Sequence, residues 1–108
     1  MKYMVDIDGT ICHTDNSDYP NSKPYMGRIA HFNMLYDMGY EICYWTARGS
    51  KSNKDWYEFT LNQLKEWGVK FTSFSVGKPM YDIWIDDKSV NFSHYFRNMD
   101  YEDSVNWI

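Results

Sequence analysis

Two pairs of acids carry most of the chemistry this 108-residue sequence can offer: Asp6 and Asp8 in Asp6-Ile7-Asp8-Gly9-Thr10, and Asp86 and Asp87 in Ile85-Asp86-Asp87-Lys88. Each pair follows a short apolar run of the kind that forms a strand. Crowded carboxylates repel one another and are costly to desolvate unless a cation joins them. Oxygen donors without His or Cys suit Mg²⁺, which keeps several waters and binds phosphate oxygens. An extended strand would point Asp6 and Asp8 to the same face. One could then attack while the other handles a proton, and a carboxylate nucleophile forming an aspartyl-phosphate is an established covalent route. Gly9 would let the backbone turn sharply and present amide N–H groups to an anion. Thr46 offers a short hydroxyl donor and Lys78 a point charge for phosphoryl oxygens. Together they would make a phosphoryl-transfer site built from positioning and charge compensation.

Such a site needs elements that bring distant residues to one rim. Tyr3–Ile7, Glu41–Trp45, Phe71–Val76 and Tyr81–Ile85 read as strands. Between them, apolar residues at 25, 29, 32 and 36 keep helical spacing from Tyr25 to Met38, with Gly39 as the stop. A second helix is expected from a Ser52-x-x-Asp55 capping box to Gly68, with Tyr57, Thr60, Leu61, Leu64 and Trp67 on one face. His13–Pro24 is polar and reads as a loop, Ser89 as the cap of a short helix to about Arg97, and Ser104–Trp107 as a short final strand. Strands alternating with helices predict one α/β domain over residues 1–108, a Rossmann-like three-layer sandwich around a mainly parallel sheet. In such sheets ligands bind beyond the carboxyl ends of the strands. That is where all four groups of candidate residues fall.

Asp6-x-Asp8-Gly9-Thr10, Thr46, Lys78 and Asp86-Asp87 resemble, in order, the four motifs of the haloacid dehalogenase (HAD) superfamily, over residues 3–88. The resemblance implies a HAD-like fold and a Mg²⁺-dependent phosphatase. It implies Asp6 as nucleophile and metal ligand, and Asp8 as general acid/base that lends its backbone carbonyl to the metal. It further implies Thr46 and Lys78 as holders of the phosphoryl group, and Asp86 and Asp87 as the rest of the Mg²⁺ shell. Thr46-Ala47-Arg48-Gly49, Gln63-Leu64-x-x-Trp67-Gly68-Val69 and Gly77-Lys78-Pro79 look closest to small capsule- or polysaccharide-biosynthesis phosphatases. Polynucleotide 3′-phosphatases share a similar Asp-Asp motif. Many relatives carry a cap domain between motifs. Here one loop and one helix use up the stretch from Asp8 to Thr46, and one helix and one strand that from Thr46 to Lys78, so no cap domain is expected. The site should be open, with the His13–Pro24 loop or a partner subunit as its lid.

The expected substrate is a sugar or nucleotide monophosphate. The alternatives are a nucleic-acid 3′-phosphate end and, in a different class, a non-catalytic phosphate-binding regulatory domain. Gly9, Ala47 and Arg48 join Thr46 and Lys78 as candidate phosphate contacts, although Arg48, with Lys51 and Lys54, fits a solvated helix start better. His13, His31 and His94 show no ligand spacing.

Composition sets the outer limits. With 11 Lys and Arg against 15 Asp and Glu, the net charge is −4, which excludes a broadly basic surface for coating nucleic acid or anionic membrane. The excess equals the charge of Asp6, Asp8, Asp86 and Asp87, so the acidity tallies with a cation-binding cluster. Cys12 and Cys43 have no metal or redox spacing and read as packed, reduced thiols. No membrane-length apolar run or signal peptide is visible, so a cytoplasmic location away from membranes is expected. Monomer and homo-oligomer stay equally open.

Overall fold

The computed structural model describes residues 1–50 and 55–98. In chain order it contains β1 (Lys2–Asp6), β2 (Cys12–His13), a 3-10 turn (Tyr19–Asn21), β3 (Lys23–Pro24), α1 (Met26–Asp37), β4 (Glu41–Trp45), α2 (Tyr57–Glu66), β5 (Ser73–Ser75) and α3 (Phe92–Tyr95). β1, β4 and β5 form a parallel three-stranded sheet in that order, and β2 pairs with β3 in a small antiparallel ribbon. Parallel neighbours cannot be joined by a tight turn, so α1 and α2 serve as the crossovers.

Burial explains why these segments take these forms. Val5 and Ile7, Ile42 and Tyr44, and Ile29, Phe32 and Leu35 of α1 meet Leu64, Val69 and Phe96 in one core. Each such side chain contributes about 1.5–3 kcal/mol when fully buried. Phe32 stacks on Tyr95 with ring centroids 5.9 Å apart and meets Phe96 edge-on at 5.8 Å, closing the far side of the core. α1 stops at Gly39, whose φ of +97° a side chain would resist. The Tyr40 N–H then bonds back to the Leu35 carbonyl at 3.1 Å.

Register decides what the sheet presents. Asp6 lies beside Trp45, so the residues just beyond β1 and β4 emerge together. The Thr46 N–H donates to the Ser75 carbonyl (3.1 Å) and the Lys78 N–H to the Thr46 carbonyl (3.1 Å). These bonds draw the chain after β5 onto the same rim.

The structure corrects several expectations. Residues 81–85 form no strand. Ile83 and Ile85 are 78% and 92% exposed, so the apolar alternation finds no sheet to pack on. Beyond them, Asp86 accepts the Lys88 N–H at 3.0 Å, a local turn that competes with extension. β5 is shorter than Phe71–Val76. The His13–Pro24 segment contains a strand pair and a 3-10 turn, because Cys12 and His13 find Pro24 and Lys23 opposite them. α1 buries Arg28, Ile29, Phe32 and Leu35, while Tyr36 is exposed. α3 is capped by Asn91 and not Ser89: the Asn91 side chain accepts the Ser93 N–H at 3.0 Å. α2 begins at Tyr57, and Asp55 accepts the Tyr57 N–H. The Ser52 cap, Lys51, Lys54 and the strand expected at Ser104–Trp107 lie outside the described residues.

Candidate active site

Beyond the ends of β1 and β4 lies a cavity of about 370 Å³, lined by Asp6, Asp8, Ala47, Arg48 and Lys78, with Tyr19 and Tyr81 in its wall. Asp6 ends β1, and its side chain is 35% exposed. Lys78 comes from the chain after β5 and places Nζ 3.2 Å from Asp6 Oδ1, with the lysine side chain only 12% exposed. Burial pushes the Asp6 carboxyl above its ordinary range. Lys78 pulls it down without cancelling the rise, and the nearby Asp8 charge adds to it. The second oxygen, Oδ2, accepts from the Thr10 hydroxyl at 3.5 Å. Asp6 is thus a desolvated carboxylate short of positive charge.

Asp8 has the opposite surroundings. Arg48 Nε donates to Oδ2 at 3.0 Å and Nη2 to Oδ1 at 2.8 Å, and the Thr14 hydroxyl donates to Oδ1 at 2.7 Å. The guanidinium is fully buried. Its Nη1 donates to Thr60 Oγ1 (3.2 Å) and Gln63 Oε1 (2.7 Å) of α2, and the Tyr19 ring lies 4.5 Å from Cζ. This overturns the expectation of a solvated Arg48, and it spends most of the N–H groups meant for a phosphate. The reason is electrostatic: a buried guanidinium needs a carboxylate and neutral acceptors to replace its water.

Two other candidates do not line the cavity. Thr46 is fully buried, and its hydroxyl accepts the Arg48 N–H at 3.1 Å, which shapes the turn after β4. Gly9 has φ +85°, as a sharp turn requires, but its N–H is taken by the Cys12 carbonyl at 2.8 Å. Asp86 and Asp87 are exposed and do not line the cavity. Hydrogen bonding from the Lys88 N–H holds the Asp86 carboxyl below its usual range. Among the described residues no three His, Cys, Asp or Glu side chains come together as a metal site. Of the four carboxylates expected at one rim, Asp6 and Asp8 line the cavity, and Asp86 and Asp87 follow a segment that forms no strand.

Thr14, Tyr19, Thr60 and Gln63 were missed as parts of the site. Thr60 and Gln63 are polar residues three apart on the helix face that also carries Leu64, and a polar pair on an apolar stripe was the available signal. Cys12 and Cys43 are free and buried, and burial pushes the Cys12 thiol up to about 12. His13 pairs with Asp15 at the surface, 2.8 Å away. No described helix is long and apolar enough to cross a membrane.

No family model matches this chain, and no curated protein does. A crystal structure of a protein from Vibrio cholerae is similar to it, with a TM-score of 0.74 and 29% identity over 97% of this chain and 94% of that one. The α/β arrangement of parallel strands and crossover helices is thus shared with a solved protein.

Proposed function

We propose that this protein is a phosphomonoester hydrolase of the haloacid dehalogenase superfamily, with a HAD-like three-layer fold. The observation that supports the reading best is the meeting of Asp6, Asp8 and Lys78, from two separate chain segments, in one cavity beyond the sheet's carboxyl edge. A mere strand-end turn explains neither the desolvated Asp6 nor a lysine brought from the far end of the sheet.

In this mechanism the Asp6 carboxylate attacks phosphorus in line as the bond to the leaving oxygen breaks, and Asp8 gives that oxygen its proton. Asp8 next takes a proton from water, whose oxygen attacks the phosphorus of the aspartyl-phosphate. The Asp6–phosphorus bond breaks, and inorganic phosphate leaves. Lys78 neutralises charge on the transferring group. Both Asp8 oxygens accept from Arg48, and the second lone pair of Oδ2 is where a proton can sit.

The under-compensated Asp6 oxygen and the all-oxygen donor set fit Mg²⁺, with Asp6 and the Asp8 position as its protein ligands. When bound, the ion supplies positive charge to the phosphoryl oxygens. Purified protein with Mg²⁺ should release phosphate from an aryl phosphate, and chelation should stop release until Mg²⁺ is restored. Asp6→Asn should abolish it, and full activity in that variant would sink the mechanism. Side chains of Asp6 and Asp8 that are 35% and 27% exposed leave the site open to large substrates. A panel of sugar phosphates, nucleoside monophosphates and a 3′-phosphorylated oligonucleotide identifies the substrate. Phosphate binding without turnover of any of them would favour a regulatory domain.

A further inference from the structure

We propose that Tyr81 and Trp84 are positioning residues for Lys78. Their rings hold its ammonium against Asp6 and leave its remaining N–H groups to a phosphoryl oxygen; the catalytic consequence rests on the phosphatase reading above. The Lys78 backbone is fixed, since its N–H donates to the Thr46 carbonyl at 3.1 Å and its carbonyl accepts from the Ser50 hydroxyl at 2.9 Å. Beyond the backbone, the ammonium rides on a flexible four-carbon stem. Asp6 is its one ion-pair partner among the described residues, yet the side chain is nearly buried. Two rings cover it. Nζ lies 5.3 Å from the Tyr81 centroid and 5.9 Å from that of Trp84, both within cation–π reach.

The rings are themselves braced. Tyr81 meets Trp84 edge-on at 5.0 Å, and Trp84 meets Trp45, the last residue of β4, at 6.2 Å and 90°. Trp45 lies beside Asp6 in the sheet register, so nucleophile and lysine are held from neighbouring strand ends. A strand over residues 81–85 would send Tyr81 and Trp84 to opposite faces. Here both turn to Lys78, and Trp84 is 41% exposed between Ile83 at 78% and Ile85 at 92%. A carboxylate in place of the rings would take N–H groups that the phosphoryl group needs and would cancel the charge. A ring face attracts the cation through its quadrupole and leaves that charge in place.

The test compares Tyr81→Leu, which keeps an apolar cover and loses the π face, with Tyr81→Phe, which keeps the face and loses the hydroxyl. With Mg²⁺ present, Tyr81→Leu should lower kcat/KM on an aryl phosphate about tenfold, and Tyr81→Phe should restore most of the rate. Repeating Tyr81→Leu in a Lys78→Met background separates positioning from general support of the fold. With no ammonium to hold, the further loss there should stay within about twofold. Trp84→Leu should follow Tyr81→Leu in both backgrounds. No loss in Tyr81→Leu, equal losses in the Leu and Phe variants, or a full tenfold loss in the Lys78→Met background would overturn the proposal. Proton NMR of the Lys78 ε-methylene group gives a readout independent of turnover. Ring currents should displace its signal from that of an exposed lysine in wild type and Tyr81→Phe, and much of the displacement should go in Tyr81→Leu. An unchanged signal in Tyr81→Leu would also overturn the proposal. Wild type that hydrolyses no phosphate ester counts against the phosphatase reading, while the Lys78 signal still decides whether the rings hold the ammonium.

Discussion

Arg48 and Asp8 meet side-on, Nε to Oδ2 at 3.0 Å and Nη2 to Oδ1 at 2.8 Å, across forty positions of sequence and with the guanidinium wholly out of solvent. This pair joins the turn after β4 to the one after β1, and through Thr60 and Gln63 it also pins α2. Arg48→Ala would strand the Asp8 carboxylate and empty a buried volume, so urea unfolding should show a loss of about 3 kcal/mol. That is a large fraction of the roughly 5–15 kcal/mol that holds a domain together. Arg48→Lys should lose nearly as much, because one ammonium cannot fork onto Asp8 and reach α2 as well. Stability unchanged in both would show that the pair is not structural.

Burial of the Asp6 carboxylate costs the folded chain stability. The carboxyl titrates above the ordinary 3.8 in the folded chain because burial disfavours the charge. Between that value and the raised one the folded state binds more protons, so unfolding free energy falls as pH rises through the window and stays lower above it. Asp6→Asn removes the charged form. Without metal, the variant should melt no lower than wild type at pH 7, and any gain should vanish well below pH 3.8. A variant that melts lower at neutral pH would contradict this sign.

Lys78 opposes that rise. Removing its charge in Lys78→Met should send the Asp6 carboxyl higher still and move the acid limb of the rate profile to higher pH. The rate at the plateau should fall about 10²–10³-fold, as for loss of one charge-stabilising donor. Measurement of kcat/KM against pH reads both effects, and an acid limb that stays put would detach Lys78 from Asp6.

In the core, the Tyr44 ring is buried and its hydroxyl has no hydrogen-bond partner among the described residues. Burial pushes its ionisation well above the usual range. Tyr44→Phe keeps the ring contacts with Phe32 and Phe71 and removes an uncompensated polar group. The variant should gain about 1 kcal/mol in chemical denaturation. A loss of that size would mean that the hydroxyl is satisfied in solution.

What the sequence determined by itself was local and periodic. The apolar run before Asp6, the apolar positions before Gly39 and the run from Glu41 to Trp45 are each set by side-chain pattern and stop signals. All three appear with nearly those limits. That pattern also placed Asp6, Asp8 and Lys78 at strand ends, and so at one rim. What tertiary structure alone decided was the partner of each group. Residues 81–85 have strand composition, but a strand exists only where an edge accepts it, and here Ile83 and Ile85 stay in solvent with Asp86 and Asp87 outside the cavity. Arg48 looked like one more surface cation, because spacing says nothing about desolvation. It is buried since Asp8, beyond β1, and Thr60 and Gln63, of α2, converge to replace its water. Charge and hydrogen-bond donors can be counted along a sequence, whereas the dielectric around them and the acceptors within 3 Å depend on how the chain is packed.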